Sequence, residues 1–358
     1  MLKDLCFEII EKCPNRCKFC SSRSSIEATK MITIEWFKKT IDHFMQQGGI
    51  EEISLSGGEP FLHPDLLEMV TYCKEKGIRT VIFTSGIKYS SPMTQEEIEW
   101  INTQKRQKMQ EVEENEPWND RLKRNIQSYY DRFLKGTDFT SITKCEAEQL
   151  KELGVDKIVF DWQAAEEETY NQLMGSRHFY TTVVNSMICT QAVGLNTEVH
   201  FIPLRQNYKQ FADILECLEI AKIKNISILN FVPQGRGLLN KNEMMLSKDE
   251  MQEFSQILAQ VKKSFSGKIR IGIPLLGDIQ HLCTAGTEKL DIKFDGTVLP
   301  CPAFKEISID TMERYGIRLY NIYRDLESIV VSGGKRRNAL CKQVYQFDHS
   351  IQTSQEEK

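Results

Sequence analysis

The stretch that decides the fold is Leu5–Cys20, LCFEIIEKCPNRCKFC. Its first part, Leu5–Ile10, is a short apolar-rich run of the length of a buried strand. Its second part places Cys13, Cys17 and Cys20 on one loop in the spacing C-x3-C-x2-C. The segment lacks the apolar core of a secretory signal. Without an export signal, clustered cysteines read as metal ligands or catalytic thiols rather than disulfide partners.

Outward from this loop the pattern alternates strand and helix. Thr33–Gln47 is a helix with Ile34, Phe37, Ile41 and Phe44 on one face. Glu52–Leu55 is a strand ending in Ser56-Gly57-Gly58-Glu59-Pro60, and Asp65–Lys76 is a helix stopped by Gly77. Arg79–Phe83 is a strand ending in Thr84-Ser85-Gly86. After an interruption, strands at Lys157–Phe160, Glu198–Ile202 and Ile226–Val232 alternate with helices at about 179–193 and 208–222. Repeated βα units predict a parallel sheet, and right-handed crossovers make a partial (β/α)6 TIM-like barrel the simplest closure. Barrel chemistry sits at the C-terminal strand ends, where the cysteines, the Gly-Gly-Glu-Pro turn and Thr84-Ser85-Gly86 fall. The interruption, 88–144, has ten basic and ten acidic residues. It reads as a solvated helical insertion or as a docking arm for a large substrate.

The chain has 358 residues, enough for about two domains. With 41% hydrophobic residues and a net charge of −4 it suits a globular core and carries no nucleic-acid footprint. No apolar run reaches membrane-spanning length. The composition predicts a cytoplasmic protein with neither nucleic-acid nor membrane partners.

Three thiolates on one loop match three corners of a [4Fe–4S] cluster. Structural zinc wants a fourth Cys or His nearby, and His43 belongs to the next helix. This spacing, after a first strand and before a Gly-Gly-Glu-Pro strand end, resembles the radical S-adenosylmethionine (radical SAM) enzymes over about residues 5–240. The resemblance implies that the open iron chelates S-adenosylmethionine. One electron then cleaves the cofactor to a 5′-deoxyadenosyl radical, which takes a hydrogen atom from substrate. It places Phe19 against the adenine, and Gly57, Gly58, Glu59 and Pro60 at the methionyl group, with Glu59 either adding charge or bracing the turn. Ser85 contacts the cofactor or caps a following helix, and Val232 and Gln234 lie near adenine. Asp161, in Asp161-Trp162-Gln163-Ala164, stands where relatives often carry a hydroxyl and is a cofactor contact or a substrate group. Arg177 is a candidate partner for the cofactor carboxylate. His200 faces the lumen or is a satisfied core histidine.

A second constellation, Cys283-x12-Gly296-x4-Cys301, brackets a hairpin predicted over Leu290–Leu299 with an Asp295-Gly296 turn. It resembles the opening of the auxiliary-cluster SPASM domain and its shorter twitch form. Only Cys341 follows, which implies one auxiliary [4Fe–4S] cluster on Cys283, Cys301 and Cys341. The fourth ligand is open between substrate and a residue such as Asp348 or His349; zinc and unligated buried thiols remain alternatives. Cys6, Cys73, Cys145, Cys189 and Cys217 read as structural.

The expected organisation is a radical SAM core over 1–240 with its insertion, a connecting helix and strand over 241–275, a small β-hairpin/helix twitch domain over 276–347 and a polar tail over 348–358. The expected function is radical modification of a peptide or protein, fed by a flavodoxin- or ferredoxin-type electron donor. The alternatives are a small-molecule dehydrogenase or epimerase acting in a sugar, nucleotide or cofactor pathway, and a non-enzymatic Fe–S or zinc module.

Overall fold

A computed structural model describes residues 1–135, 138–176, 179–272 and 283–334. The strands are β1 (Asp4–Ile10), β2 (Glu52–Gly57), β3 (Arg79–Thr84), β4 (Ile87–Tyr89), β5 (Phe139–Ser141) and β6 (Val155–Asp161). They continue with β7 (Thr197–Phe201), β8 (Asn225–Ile228), β9 (Lys268–Ile271), β10 (Lys289–Ile292), β11 (Thr297–Leu299) and β12 (Tyr320–Asn321). Ten of them form one open sheet in the order β12-β11-β10-β1-β2-β3-β6-β7-β8-β9. Every pair from β10 to β9 is parallel; β10-β11 and β11-β12 are antiparallel.

The fold is therefore α/β with a mostly parallel sheet, and the six strands expected of a partial barrel lie in sequence order within it. The sheet extends past those six. β9 adds to one side, and the Asp-Gly hairpin adds to the other by pairing β10 with β1. Alternation read strand by strand does not reveal this pairing, because strand neighbours depend on long-range contacts. The strand expected over Ile226–Val232 ends at Ile228, and 229–235 runs irregularly across the strand ends.

Local chemistry explains the helices. α1 (Ile34–Gln46) starts where the Thr33 hydroxyl accepts the Trp36 N–H at 3.4 Å and buries Phe37, Ile41 and Phe44. α2 (Leu66–Glu75) stops before Gly77, at φ +71°. α3 (Gln95–Asn115) and α4 (Asp120–Lys135) lie in the insertion. α5 (Lys144–Glu152) opens with a Thr143/Glu146 capping box. α6 (Glu167–Met174), α7 (Tyr180–Ala192) and α8 (Phe211–Ile220) follow β6 and β7. A second capping box, Ser247/Glu250, opens the helix Lys248–Val261.

Side chains alternate between two faces along each strand. On the helix-covered face, Phe7 meets Phe37 with ring centroids 5.2 Å apart, and Phe201 packs with Phe211 and Phe254. The other face is polar: Cys6 and Glu8 from β1, Asp161 from β6, Glu198 and His200 from β7, Ser227 from β8 and Asp291 from β10. Phe83 of β3 and His200 of β7 meet across β6 at 5.1 Å between ring centroids, which marks this face as concave.

Lys88–Thr140 is a compact unit of its own. In it α3 pairs with α4, with a Lys105–Asp131 bridge at 2.8 Å, and Trp100 and Trp118 are exposed. Among the described residues no helix is long and apolar enough to cross a membrane.

Phe211 is fully buried between Phe201 and Phe254. Phe211→Ala is expected to lower stability by about 3–5 kcal/mol, read as a fall in the urea midpoint. A change below about 1 kcal/mol would show that this aromatic cluster does not anchor α8.

Candidate active site

The Cys13–Cys20 loop emerges from β1 and is gripped through its backbone by three other strand or helix ends. At the end of β2, Gly58 N–H donates to Ile10 O at 2.6 Å and Glu59 N–H to Lys12 O at 2.9 Å. After α6, Arg16 N–H donates to Met174 O at 3.0 Å and Lys18 N–H to Leu173 O at 2.8 Å. Beyond β8, Arg236 N–H donates to Cys20 O at 2.9 Å and the Arg236 Nε to Cys17 O at 2.8 Å.

Each grip contains a glycine that nothing larger can replace in place. A Cβ on Gly58 would sit 2.2 Å from Lys12 O, one on Gly175 2.3 Å from Arg16 O, and one on Gly235 2.5 Å from Cys20 O. Gly175 and Gly235 also have φ of +60° and +56°, a region L side chains rarely enter. The glycine requirement at Gly57-Gly58 is readable from the sequence. Gly175 and Gly235 carry no comparable signal, because the backbone they touch lies more than 150 residues away in the chain.

Cys13 and Cys17 are buried and Cys20 is half-buried. Burial pushes the Cys13 and Cys17 thiols well above their usual range; Glu59 adds to the shift at Cys13, and Cys13 and Asp161 add to it at Cys17, while Arg236 opposes it at both. Two thiols so shifted ionise together only around a strong cationic centre. Among the described residues no three His, Cys, Asp or Glu side chains converge on one point as ligands of a single ion.

Glu59 is fully buried and spends both carboxylate oxygens on the protein. It accepts from Thr84 Oγ1 at 2.5 Å and Phe61 N at 3.1 Å on one oxygen, and from Ser85 N at 2.7 Å and Ser85 Oγ at 2.5 Å on the other. Burial pushes its carboxyl up to about 7 against these four bonds. Glu59 thus braces the ends of β2 and β3 together. Ser85 caps no helix, correcting one expectation: the chain continues into β4, and the next helix starts at Gln95. Pro60 starts a buried 3-10 turn, and Phe19 is buried beneath the loop, its carbonyl close to Gly237.

Asp161 ends β6 beside Cys17. Burial pushes its carboxyl up to about 6, and the Gln163 amide donates to it. Gln163 also donates to His200 O at 3.0 Å and accepts from Ile202 N at 2.9 Å, so the Asp161-Trp162-Gln163 stretch ties β6 to β7. His200 lies half-buried on the concave face, its Nε2 3.6 Å from Glu198 Oε1 and its ring against Phe83. Gln234 is buried and donates to Pro302 O at 3.2 Å; Val232 is half-buried in the same segment. Arg177 and Cys341 lie outside the described residues, as do Asp348 and His349.

Cys283 and Cys301 share one apolar cluster with Ala285, Leu299 and Phe304. The hairpin brings them there: Gly286 N–H donates to Lys289 O at 2.9 Å and Pro300 O at 3.0 Å, and Gly296 turns at φ +81°. Four residues past Cys301, Lys305 is buried against Glu8 and reaches Ser21 Oγ at 3.2 Å and Ser22 Oγ at 2.9 Å. Burial works to lower the Lys305 pKa, but Glu8 and Asp291 outweigh it and raise the ammonium above its usual value. This ion cluster, absent from the sequence reading, ties the Cys301 segment to the loop after Cys20.

Unsatisfied buried polar atoms gather around the loop. Both side-chain amide atoms of Asn15, the Ser24 hydroxyl, the Tyr170 hydroxyl and Gln234 Oε1 have no hydrogen-bond partner among the described residues. Buried polar groups are nearly always paired, so a polar ligand at this loop is what these residues fit.

Gly77 and Gly175 allow a controlled comparison. Both turn at positive φ after a helix, but a Cβ at Gly77 meets nothing within 4 Å. Gly77→Ala is expected to cost about 1 kcal/mol from backbone strain alone. Gly175→Ala adds a backbone collision, bringing the loss to about 2–4 kcal/mol. Urea unfolding of the metal-free variants checks this, and equal losses would contradict the close-approach argument.

Comparison with known proteins agrees with the geometry. Residues 7–140 match the family model of the Radical SAM superfamily. PqqA peptide cyclase of Bradyrhizobium diazoefficiens is 20% identical over 308 residues, spanning 84% of this chain and 67% of that protein. Streptococcus suis SuiB bound to S-adenosylmethionine superposes with a TM-score of 0.58 at 15% identity, covering 92% of this chain and 65% of SuiB. SuiB bound to the precursor peptide SuiA gives 0.59 at 16% identity, with 92% and 64% coverage. The chain thus spans about two thirds of the length of these relatives. A strand-end loop of three cysteines, a glycine turn clasping it and a mostly parallel α/β sheet beneath thus accompany the match of residues 7–140 to the Radical SAM superfamily model.

Proposed function

We propose that this chain is an enzyme that binds S-adenosylmethionine at a [4Fe–4S] cluster held by Cys13, Cys17 and Cys20, and that its substrate is a peptide. The observation carrying the reading is the three-cysteine loop, two of its thiols buried, ringed by polar atoms that have no partner among the described residues. When bound, the cluster and S-adenosylmethionine supply a 5′-deoxyadenosyl radical that removes a hydrogen atom from substrate, the electron coming from a flavodoxin- or ferredoxin-type donor.

The chain's own residues do the positioning. Gly57 and Gly58 let the end of β2 lie directly against the cysteine loop beside the place proposed for the methionyl group, with Pro60 fixing the turn behind them. Glu59 acts through Thr84 and Ser85, holding both strand ends in register. Phe19, Ser85, Val232 and Gln234 line the adenosyl side, and Arg177 is the proposed partner of the cofactor carboxylate. Asp161, at the end of β6 beside Cys17, offers a buried carboxyl group to a cofactor or substrate donor. The packed side chains of Trp162, Tyr170 and Met174 exclude water behind the loop.

Cys283 and Cys301, with Cys341, are proposed as ligands of one auxiliary cluster in a twitch-like segment over 276–347, the core domain spanning 1–240. The peptide assignment draws on the relatives: PqqA peptide cyclase, and SuiB bound to its precursor peptide.

The test is turnover under anaerobic conditions with dithionite, S-adenosylmethionine and a candidate precursor peptide encoded beside this gene. Wild-type protein is expected to release 5′-deoxyadenosine, and Cys17→Ala to release none above background. Peptide deuterated at the reacting residue should pass its label into 5′-deoxyadenosine. Equal release from Cys17→Ala would overturn the cluster assignment, and deuterium transfer only from a small molecule would overturn the peptide assignment.

A further inference from the structure

Tyr170 is fully buried, and its hydroxyl has no hydrogen-bond partner among the described residues. It lies on α6, one helical turn before Met174, so the two side chains share a face. That face is pressed onto the cysteine loop: Met174 Sδ is 3.8 Å from Cys17 Sγ, and the α6 carbonyls of Leu173 and Met174 accept the Lys18 and Arg16 N–H groups. The phenol's electrostatic neighbours are Cys17, Asp161, Cys13 and Glu59, two of the three loop thiols and two carboxyls at the strand ends. Ring contact with Tyr180 at 5.5 Å fixes the aromatic plane from behind. A donor so enclosed, on a helix face docked against Cys17, is arranged for an acceptor that arrives with the ligand.

We propose that the Tyr170 hydroxyl donates a hydrogen bond to a sulfur of the cluster held by Cys13 and Cys17, and so raises that cluster's reduction potential. The inference rests on the cluster reading above and assigns Tyr170 as a positioning residue. A hydrogen bond to sulfur favours the reduced, more negative cluster, and such outer partners orient and tune metal ligands. A phenol is neutral near pH 7, so it donates in both oxidation states.

The experiment compares anaerobically reconstituted wild-type protein with Tyr170→Phe, which keeps the ring. Iron and sulfide content, the optical midpoint potential and the thermal midpoint of the metal-free protein are measured for both. The expected result is unchanged iron and sulfide, a potential shifted to more negative values and a metal-free thermal midpoint equal to or above wild type. Tyr170→Leu, which removes ring and hydroxyl, should shift the potential in the same direction while lowering the thermal midpoint. An unchanged potential in Tyr170→Phe at full iron content overturns the proposal. A loss of iron in Tyr170→Phe assigns the hydroxyl to loop structure and overturns it equally. Wild-type protein that binds no iron fails the cluster reading itself, a result distinct from either.

Discussion

The structure depends on a backbone-to-backbone clasp. The cysteine loop is held at Ile10 and Lys12, at Arg16 and Lys18, and at Cys17 and Cys20 by chain segments from three distant places in the sequence. Gly58, Gly175 and Gly235 stand at the contacts, each with a loop carbonyl where a Cβ would have to go. The clasp explains why a short loop with buried thiols keeps one geometry. Its main-chain groups are satisfied by partners that cannot slide, because main-chain hydrogen bonds and steric contact act together. The fold serves this arrangement by bringing the end of β2, the end of α6 and the segment after β8 to the one loop.

Much of the frame was legible in the sequence, for physical reasons that differ by element. α1 could be read because Phe37, Ile41 and Phe44 repeat at helical spacing and Thr33 caps them. The Asp295-Gly296 turn could be read because few dipeptides make that turn without strain. The joining of β10 to β1 could not, since it depends on contacts across more than 280 residues. The helix Glu167–Met174 was also missed: its apolar residues, Tyr170, Leu173 and Met174, are too few to set a period. That omission hid Tyr170 and the docking of Met174 on Cys17.

The site divides in the same way. The cysteines and the Gly57-Gly58 turn were visible as motifs, and the structure places them within one packed assembly. The role of Glu59 was open between charge and brace. Its four hydrogen bonds, all to residues of its own turn and the β3 end, describe a brace. Lys305, Glu8 and Asp291 gave no signal, because a buried ion cluster consists of ordinary charged residues until the fold brings them together. The cluster has a consequence for function: it couples the segment after Cys301 to the loop after Cys20, so the two cysteine regions are parts of one packed unit. A buried ion pair with hydroxyl partners adds little net stability but strongly penalises separation of its members.

The central claim is that the Cys13–Cys20 loop holds an iron–sulfur cluster with one corner open to S-adenosylmethionine. The most direct measurement is the electron paramagnetic resonance spectrum of the reduced, anaerobically reconstituted protein before and after S-adenosylmethionine is added, in a Cys283→Ala/Cys301→Ala background that isolates this loop. The account predicts a [4Fe–4S]⁺ signal whose g-values change when S-adenosylmethionine binds. A full-intensity signal that is identical with and without it would contradict the account.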